Sequence, residues 1–128
     1  MIRKPLVSDA IWIHKLIVTE IPAASITLED VQNWIEKEKV IVDDSEKAFL
    51  KWTEHLNSIN IDLSITSSDS RGLGLSTILY SYVSYIFQKP VSFTVPAEGG
   101  EYVTRNAHLI RETIDDKGNS WRTYTKRT

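Results

Sequence analysis

From residue 59 to 66 the chain alternates strictly. Ile59, Ile61, Leu63 and Ile65 are aliphatic, while Asn60, Asp62, Ser64 and Thr66 are polar. A period of two marks a strand with one face in a core and the other in water, so this segment predicts a strand with one wholly aliphatic and one wholly polar face. The period then changes. Leu75, Ile78, Leu79, Tyr82, Val83 and Ile86 recur at helical spacing, predicting an amphipathic helix that buries those six positions, with Tyr80 and Tyr85 at its margins. Lys89-Pro90 ends the helix, and residues 91–95 predict a buried strand.

Upstream, Ser8 is placed to cap a helix over 9–19 with Ala10, Ile13, Leu16 and Ile17 on one face, broken by Ile21-Pro22. Thr27 with Asp30 three positions on forms a capping box, and Ile26 can staple against Val31. Leu28, Val31, Trp34 and Ile35 continue as the apolar stripe of a helix ending near Lys37. Val40-Ile41-Val42 predicts a short buried strand, Asp43-Asp44-Ser45 a turn, and residues 46–54 an antiparallel partner with Ala48, Leu50 and Trp52 on one face. Residues 98–107, opening on Glu98-Gly99-Gly100, predict an irregular or short helical segment. A hairpin follows, 108–114 and 120–125 about the turn at 115–119. The expected architecture is a single α/β domain over residues 1–128, with a mainly antiparallel central sheet flanked by helices.

Composition narrows the function. The 128 residues are 41% hydrophobic and 25% charged, which suits one globular domain. A formal net charge of -2 argues against holding duplex nucleic acid by general phosphate neutralisation. The local basic cluster of Arg122, Lys126 and Arg127 reads first as a solvated terminal strand. With no cysteine, disulfides, cysteine zinc sites and a cysteine nucleophile are all excluded, and no metal is expected. Neither a signal peptide nor an apolar run of roughly 20 residues is seen, so no membrane partner is expected and the default location is cytoplasmic.

The strand at 59–66 and the helix at 75–86 are joined by Arg71-Gly72-Leu73-Gly74-Leu75-Ser76. Glycines let the backbone approach a ligand closely. The first amides of a helix lack intrahelical partners and sit at the positive end of its dipole. Arg71 and the hydroxyls of Ser76 and Thr77 add donors, so the loop is suited to a diphosphate. No Gly-Lys-Ser/Thr follows, so it is not a Walker loop, and a dinucleotide fingerprint would need a third glycine. The plainer alternative is a strand-to-helix turn.

This loop resembles the Arg/Gln-x-x-Gly-x-Gly/Ala pyrophosphate loop of the GNAT acetyltransferases. The order of elements is also similar to theirs, with proportions like those of short phage-encoded members. The resemblance implies an acetyl-CoA cofactor. Its pyrophosphate would lie on the amides of Leu73, Gly74, Leu75 and Ser76, beside Arg71, Gly72 and Thr77. Its pantetheine arm would meet backbone groups of the strand from Leu63 through Ile65 to Ser67. It further implies that the strand at 93–95 splays away to open the cleft, and that Asn106 contacts coenzyme A. Ser76 stands where the family prefers Gly or Ala. The family's late-helix tyrosine, general acid toward the thiolate, has no clear counterpart; Tyr102 is the candidate and lies early.

Transfer to an amine needs a proton acceptor, a polarised carbonyl and a proton for the leaving thiolate. Asp62 is the first candidate base and Glu54, on the neighbouring strand, the second; each also reads as a carboxylate on a wet sheet. His14 and His55 read as exposed, and His108 starts the hairpin near the cleft. Trp12, Trp34, Trp52 and Trp121 lie on separate elements and read as packing groups rather than an aromatic cage. The expected activity is acetyl-CoA-dependent N-acetyltransfer to an unidentified amine, borne by a small molecule or a protein, with a homodimer allowed. The alternatives are a non-catalytic GNAT-like protein, such as a virion component or host-protein inhibitor, and a nucleotide-binding domain that is no transferase.

Overall fold

The computed structural model describes residues 1–96 and 107–126. A seven-stranded sheet runs in the order β1 (Ile2–Arg3), β2 (Val40–Asp43), β3 (Ala48–Glu54), β4 (Ile59–Thr66), β5 (Val91–Pro96), β7 (Ser120–Lys126) and β6 (His108–Ile114). Every neighbouring pair is antiparallel except β4 and β5, which run parallel because α3 (Leu75–Phe87) crosses over between them. Helices α1 (Ala10–Glu20) and α2 (Leu28–Glu36) pack on one face of the sheet and α3 on the other. The expected mainly antiparallel α/β layout is the one observed. The segment expected at 98–107, with Tyr102 and Asn106, and Arg127 of the basic cluster all fall outside the described residues, apart from Ala107.

The alternating strand departs from expectation in an informative way. Lys51 pairs with Leu63 and Trp52 with Ile61, so Asp62 is an extra residue, a β-bulge in β4. The bulge shifts the side-chain alternation by one. Ile59 and Ile61 pack with Leu79 and Val83 under α3, whereas Ile65, with Leu63 against it, joins Ile13, Ile17 and Val31 under α1 and α2. One strand therefore supplies both cores, and β4 has no single aliphatic face.

Helix α3 is also turned from the expected stripe. Leu79, Tyr80, Val83 and Ser84 are its buried residues, while Ile78, Tyr82 and Ile86 are 51%, 43% and 53% exposed. The buried stripe includes Ser84, and half-buried Ser76 stands on the same side, although pattern reading assigns serines to water. Here Ser76 meets the Ser64 hydroxyl at 2.9 Å and the Ser84 hydroxyl donates to the Lys89 carbonyl at 2.6 Å. Tyr80, expected at the margin, packs edge-on against Phe93 at 5.4 Å between ring centroids.

Two helix starts show how local chemistry sets boundaries. At α2 the expected capping box is present: Asp30 N–H donates to Thr27 Oγ1 at 3.1 Å, and Thr27 N–H to the Asp30 carboxylate at 2.9 Å. At α1 the organising residue is Asp9, not Ser8. A 3₁₀ turn over Val7–Asp9 precedes the helix. The buried Asp9 carboxylate accepts from Arg3 at 2.7 and 3.0 Å, from Leu6 N–H at 2.7 Å and from Trp12 Nε1 at 2.8 Å. His14, expected to be exposed, is half-buried with Nε2 3.0 Å from the Ile26 carbonyl, tying α1 to the start of α2.

The Arg3 guanidinium, with help from Trp12 and the Leu6 amide, outweighs burial and holds the Asp9 carboxyl down at about 2. Because the folded value is depressed, Asp9 contributes its full stability above the unfolded carboxyl value near pH ~4 and loses it progressively as pH falls toward 2. Asp9→Asn keeps the shape but removes the charge. It is expected to lower unfolding free energy by about 2 kcal/mol at neutral pH, read as a shifted urea midpoint with unchanged slope. The variant should also show a shallower loss of stability between pH ~4 and ~2 than the native chain.

Candidate functional site

After β4 the chain makes a 3₁₀ turn over Ser68–Ser70, held by Asp69, whose carboxylate accepts from Ser67 Oγ at 2.7 Å, Lys47 Nζ at 3.1 Å and Ser70 Oγ at 3.1 Å. The loop then swings into α3 through Gly72 and Gly74, at φ +87° and +75°. Those left-handed values suit glycine, and nothing lies within 4 Å of where either Cβ would point. The glycines therefore serve the turn and leave open space before it.

No side chain caps α3, and its first backbone bond of this kind runs from Ile78 N–H to the Gly74 carbonyl at 3.0 Å. The amides of Leu75, Ser76 and Thr77 precede that bond and are left for an outside acceptor. They face a cavity of about 460 Å³ lined by the loop, residues 64–66 at the end of β4, and Glu20 and Ile21 from the end of α1. The residues brought together here include Ile65, Arg71, Gly72, Gly74, Leu75, Ser76 and Thr77, all expected at the site from sequence. Leu73 is exposed at the tip. The hydroxyl of Ser67 is engaged by Asp69, and Leu63 packs into the α1/α2 core, so only the backbone of those two residues is free for a ligand.

One neighbour was not foreseen. Glu20 reaches from the last turn of α1 to bond Arg71 Nη2 at 2.6 Å. The loop's cation is thus partly neutralised by a carboxylate in the same cavity wall. The two residues are 51 positions apart, and no periodicity or motif in the sequence links them.

The second element of the site is a gap. Strands β4 and β5 pair only over Ile59–Val91, Asn60–Ser92 and Ile61–Phe93. Beyond Ile61, β4 keeps β3 as its partner, while β5 keeps β7 through to Pro96–Trp121. Among the described residues, 62–66 therefore have no strand partner toward β5, at the position where the family resemblance implied splaying. Asp62 sits at the point of parting, on the same sheet face as α1 and α2. Its carboxylate accepts from Lys51 Nζ at 2.5 Å, Thr53 Oγ1 at 2.6 Å and Asn60 Nδ2 at 2.6 Å. Burial pushes the Asp62 carboxyl up, but these three donors and the Lys51 charge outweigh it and leave it below the usual carboxylate value.

Glu54 lies at the opposite end of β4 from the loop, paired with Ile59, and its carboxylate bonds Lys89 at 2.8 Å. The gap does not bring it together with Asp62. His55 is exposed in the adjacent turn, and His108 is exposed at the start of edge strand β6. The tryptophans hold separate structural positions. Trp12 and Trp121 donate to Asp9 and Asp115, Trp34 stacks under Lys51 Nζ at 5.7 Å, and Trp52 is buried in the α3 core. Among the described residues, no cluster of His, Asp or Glu is arranged to hold a metal, and no helix is long and apolar enough to cross a membrane.

No family model matches the chain, and no curated protein is similar to it in sequence. Its three-dimensional likenesses are nonetheless consistent. A GNAT-family protein from Desulfovibrio desulfuricans superposes with a TM-score of 0.77 at 10% identity, over 99% of this chain and 98% of that one. The chain has the GNAT fold. The aminoglycoside 6'-acetyltransferase type Ii matches at TM-score 0.73 and 13% identity, over 100% and 99% of the two chains. The PaiA N-acetyltransferase of Thermoplasma acidophilum, solved with coenzyme A, matches at 0.64 and 13%, over 98% of each. Within the GNAT fold observed here, the glycine loop and the β4–β5 gap adjoin each other across the C-terminal half of β4.

Proposed function

We propose that the chain is an acetyl-CoA-dependent N-acetyltransferase. The observation that carries the reading is the junction of two features. The uncapped start of α3, with its left-handed glycines, opens on a cavity next to a strand edge that β5 has abandoned. The donor set fits a diphosphate, with three free helix amides, the Arg71 guanidinium and the Thr77 hydroxyl, and among the described residues Glu20 is the one opposing charge on that wall. The backbone of residues 62–66 fits an extended, amide-bearing arm, which would add to β4 as a strand does.

Bound acetyl-CoA would supply an activated acyl carbonyl at the parting of the strands. There a β4 backbone N–H can hold the carbonyl oxygen as charge develops on it. Of the two candidate carboxylates, Asp62 adjoins the gap and Glu54 does not. Asp62 stays ionised but is a weak proton acceptor, since its three donors stabilise the anion. It therefore orients the incoming ammonium or a water rather than taking a proton deep into its own carboxyl group. Tyr102 and Asn106 remain the proposed thiolate acid and coenzyme A contact.

A non-catalytic use of the same fold is favoured by one observation: Ile78, Tyr82, Tyr85 and Ile86 leave an apolar outer surface on α3. Coenzyme A bound without thiol release on any amine would select that reading. ATP or NAD displacing coenzyme A would select a nucleotide-binding domain instead.

The test is calorimetry with acetyl-CoA and a thiol-release assay, which has no protein background because the chain lacks cysteine. Binding in the micromolar range is expected, and none at millimolar ligand would refute the reading. Gly74→Glu is expected to abolish binding, since the carboxylate would enter the diphosphate's space, while left-handed strain costs the fold only about 1 kcal/mol. Conversely, Glu20→Gln is expected to tighten coenzyme A binding about fivefold, because it frees Arg71 and removes a like charge from the wall. Weaker binding in that variant would mean that the ion pair positions the loop.

A further inference from the structure

The amine must reach the parting of β4 and β5 by a path the cofactor does not fill, and what lines that path restricts which amine can use it; this inference rests on the transferase reading. A second cavity, of about 420 Å³, lies at the other end of the same two strands. Its wall includes His55, Asn60, Ser92, Thr94, Arg111 and Thr123. Register places Asn60 opposite Ser92, Thr94 opposite Thr123 and Thr123 opposite Arg111. Opposed residues project to the same side of a sheet, so the row stands on the face that also carries Asp62. The row is fixed by its own bonds: Ser92 Oγ donates to Asn60 Oδ1 at 3.2 Å, and the Thr94 and Thr123 hydroxyls meet at 2.9 Å. Thr94 is the first β5 residue past the last β4 pair, so this cavity reaches the gap.

The charge on this wall is one-sided. Among the described residues it contains no Asp or Glu, and their fixed charge is the Arg111 guanidinium. Among the described residues no carboxylate lies within ion-pair distance of Arg111. Its neighbour Glu112 pairs across the hairpin with Arg122 at 2.8 Å, one residue out of phase and so on the opposite face. Asp62 is taken by Lys51. A polycationic acceptor would meet an uncompensated cation here and no counter-charge. An acceptor with a carboxylate would find a planar, bidentate donor and a row of hydroxyl and amide groups beneath it.

We propose that the acceptor is an amine that also carries a carboxylate, an amino acid or a short peptide, held at Arg111 with its amine directed to the gap beside Thr94. Its nitrogen bonds to the acetyl carbon as the carbon–sulfur bond breaks. One proton leaves the nitrogen for solvent, and one is returned to the departing thiolate.

Thiol release on a panel of amino acids and dipeptides, their carboxamides and a linear polyamine tests this. At fixed acetyl-CoA, carboxylate acceptors should exceed their carboxamides tenfold or more in kcat/KM. Arg111→Gln should raise KM for the carboxylates at least fivefold, leaving the KM of acetyl-CoA and the rate on carboxamides unchanged, and Arg111→Lys should recover part of the loss. Preference for the polyamine or the carboxamides, or an unchanged KM in R111Q, overturns the acceptor assignment while leaving the transferase reading intact. Absence of coenzyme A binding overturns both. Should coenzyme A bind but no amine turn over, saturation-transfer NMR of N-acetyl amino acids on the coenzyme A complex decides. Binding lost in R111Q supports the assignment, and no binding, or binding unaffected by the substitution, overturns it.

Discussion

The structure turns on a single extra residue. By inserting Asp62 without a partner on β3, the bulge changes which way every later side chain of β4 points, and it lies where β4 and β5 lose contact. Before it, β4 is an ordinary internal strand whose Ile59 and Ile61 pack under α3. After it, β4 keeps only β3 among the described residues, and Leu63 and Ile65 turn to the other core. A bulge increases local twist and bends its strand. The open edge beside the glycine loop is a consequence of this geometry, and backbone groups left unpaired there are costly unless solvated or bonded to a ligand. The Lys51–Asp62 pair, with Thr53 and Asn60, holds the bulge from one face.

Electrostatics at the loop are balanced rather than simply positive. Three helix amides and Arg71 favour an anion, Glu20 opposes it, and Lys47 and Asp69 neutralise each other in the turn that leads in. If the proposed diphosphate binds at this loop, the carboxylate bonded to Arg71 occupies a place that a phosphate oxygen would take. The ion pair satisfies the guanidinium, and under the proposed reading exchanging Glu20 for a diphosphate would substitute one anion for another rather than create charge in the cavity.

Much of this was legible in the sequence because it is local. The capping box at Thr27 and Asp30, the two glycines before α3 and the Lys89-Pro90 stop each act within a turn or two of chain, and each is found where expected. The misreadings are of three kinds. Asp9 outranked Ser8 because its role depends on Arg3 and Trp12 closing around it, not on cap position alone. The bulge was invisible because alternation in sequence is the same with or without a residue slipped from its ladder; only pairing to β3 reveals it. Glu20 and the row from Asn60 to Arg111 are assembled across distant segments, and single-chain periodicity carries no information about such register.

The rotation of α3 follows from the same constraints and explains its outer face. The helix must begin at Gly74 with its amides toward the cavity, and Ser76 must reach Ser64, which fixes its angle about its own axis. Ser76, Leu79, Tyr80, Val83, Ser84 and Phe87 then face the sheet, and Ile78, Tyr82 and Ile86 are carried about one residue's turn away from it. A stripe chosen for burial alone would have put the three latter residues inside and left the two serines wet. That half-buried Ser76 and buried Ser84 face the sheet, each with a hydroxyl or carbonyl partner, means that the position of the helix start took precedence over maximal apolar burial. Local rules that fail at one place in a structure are expected to fail where a site is built, and here the departure lies on the helix whose first turn forms the loop.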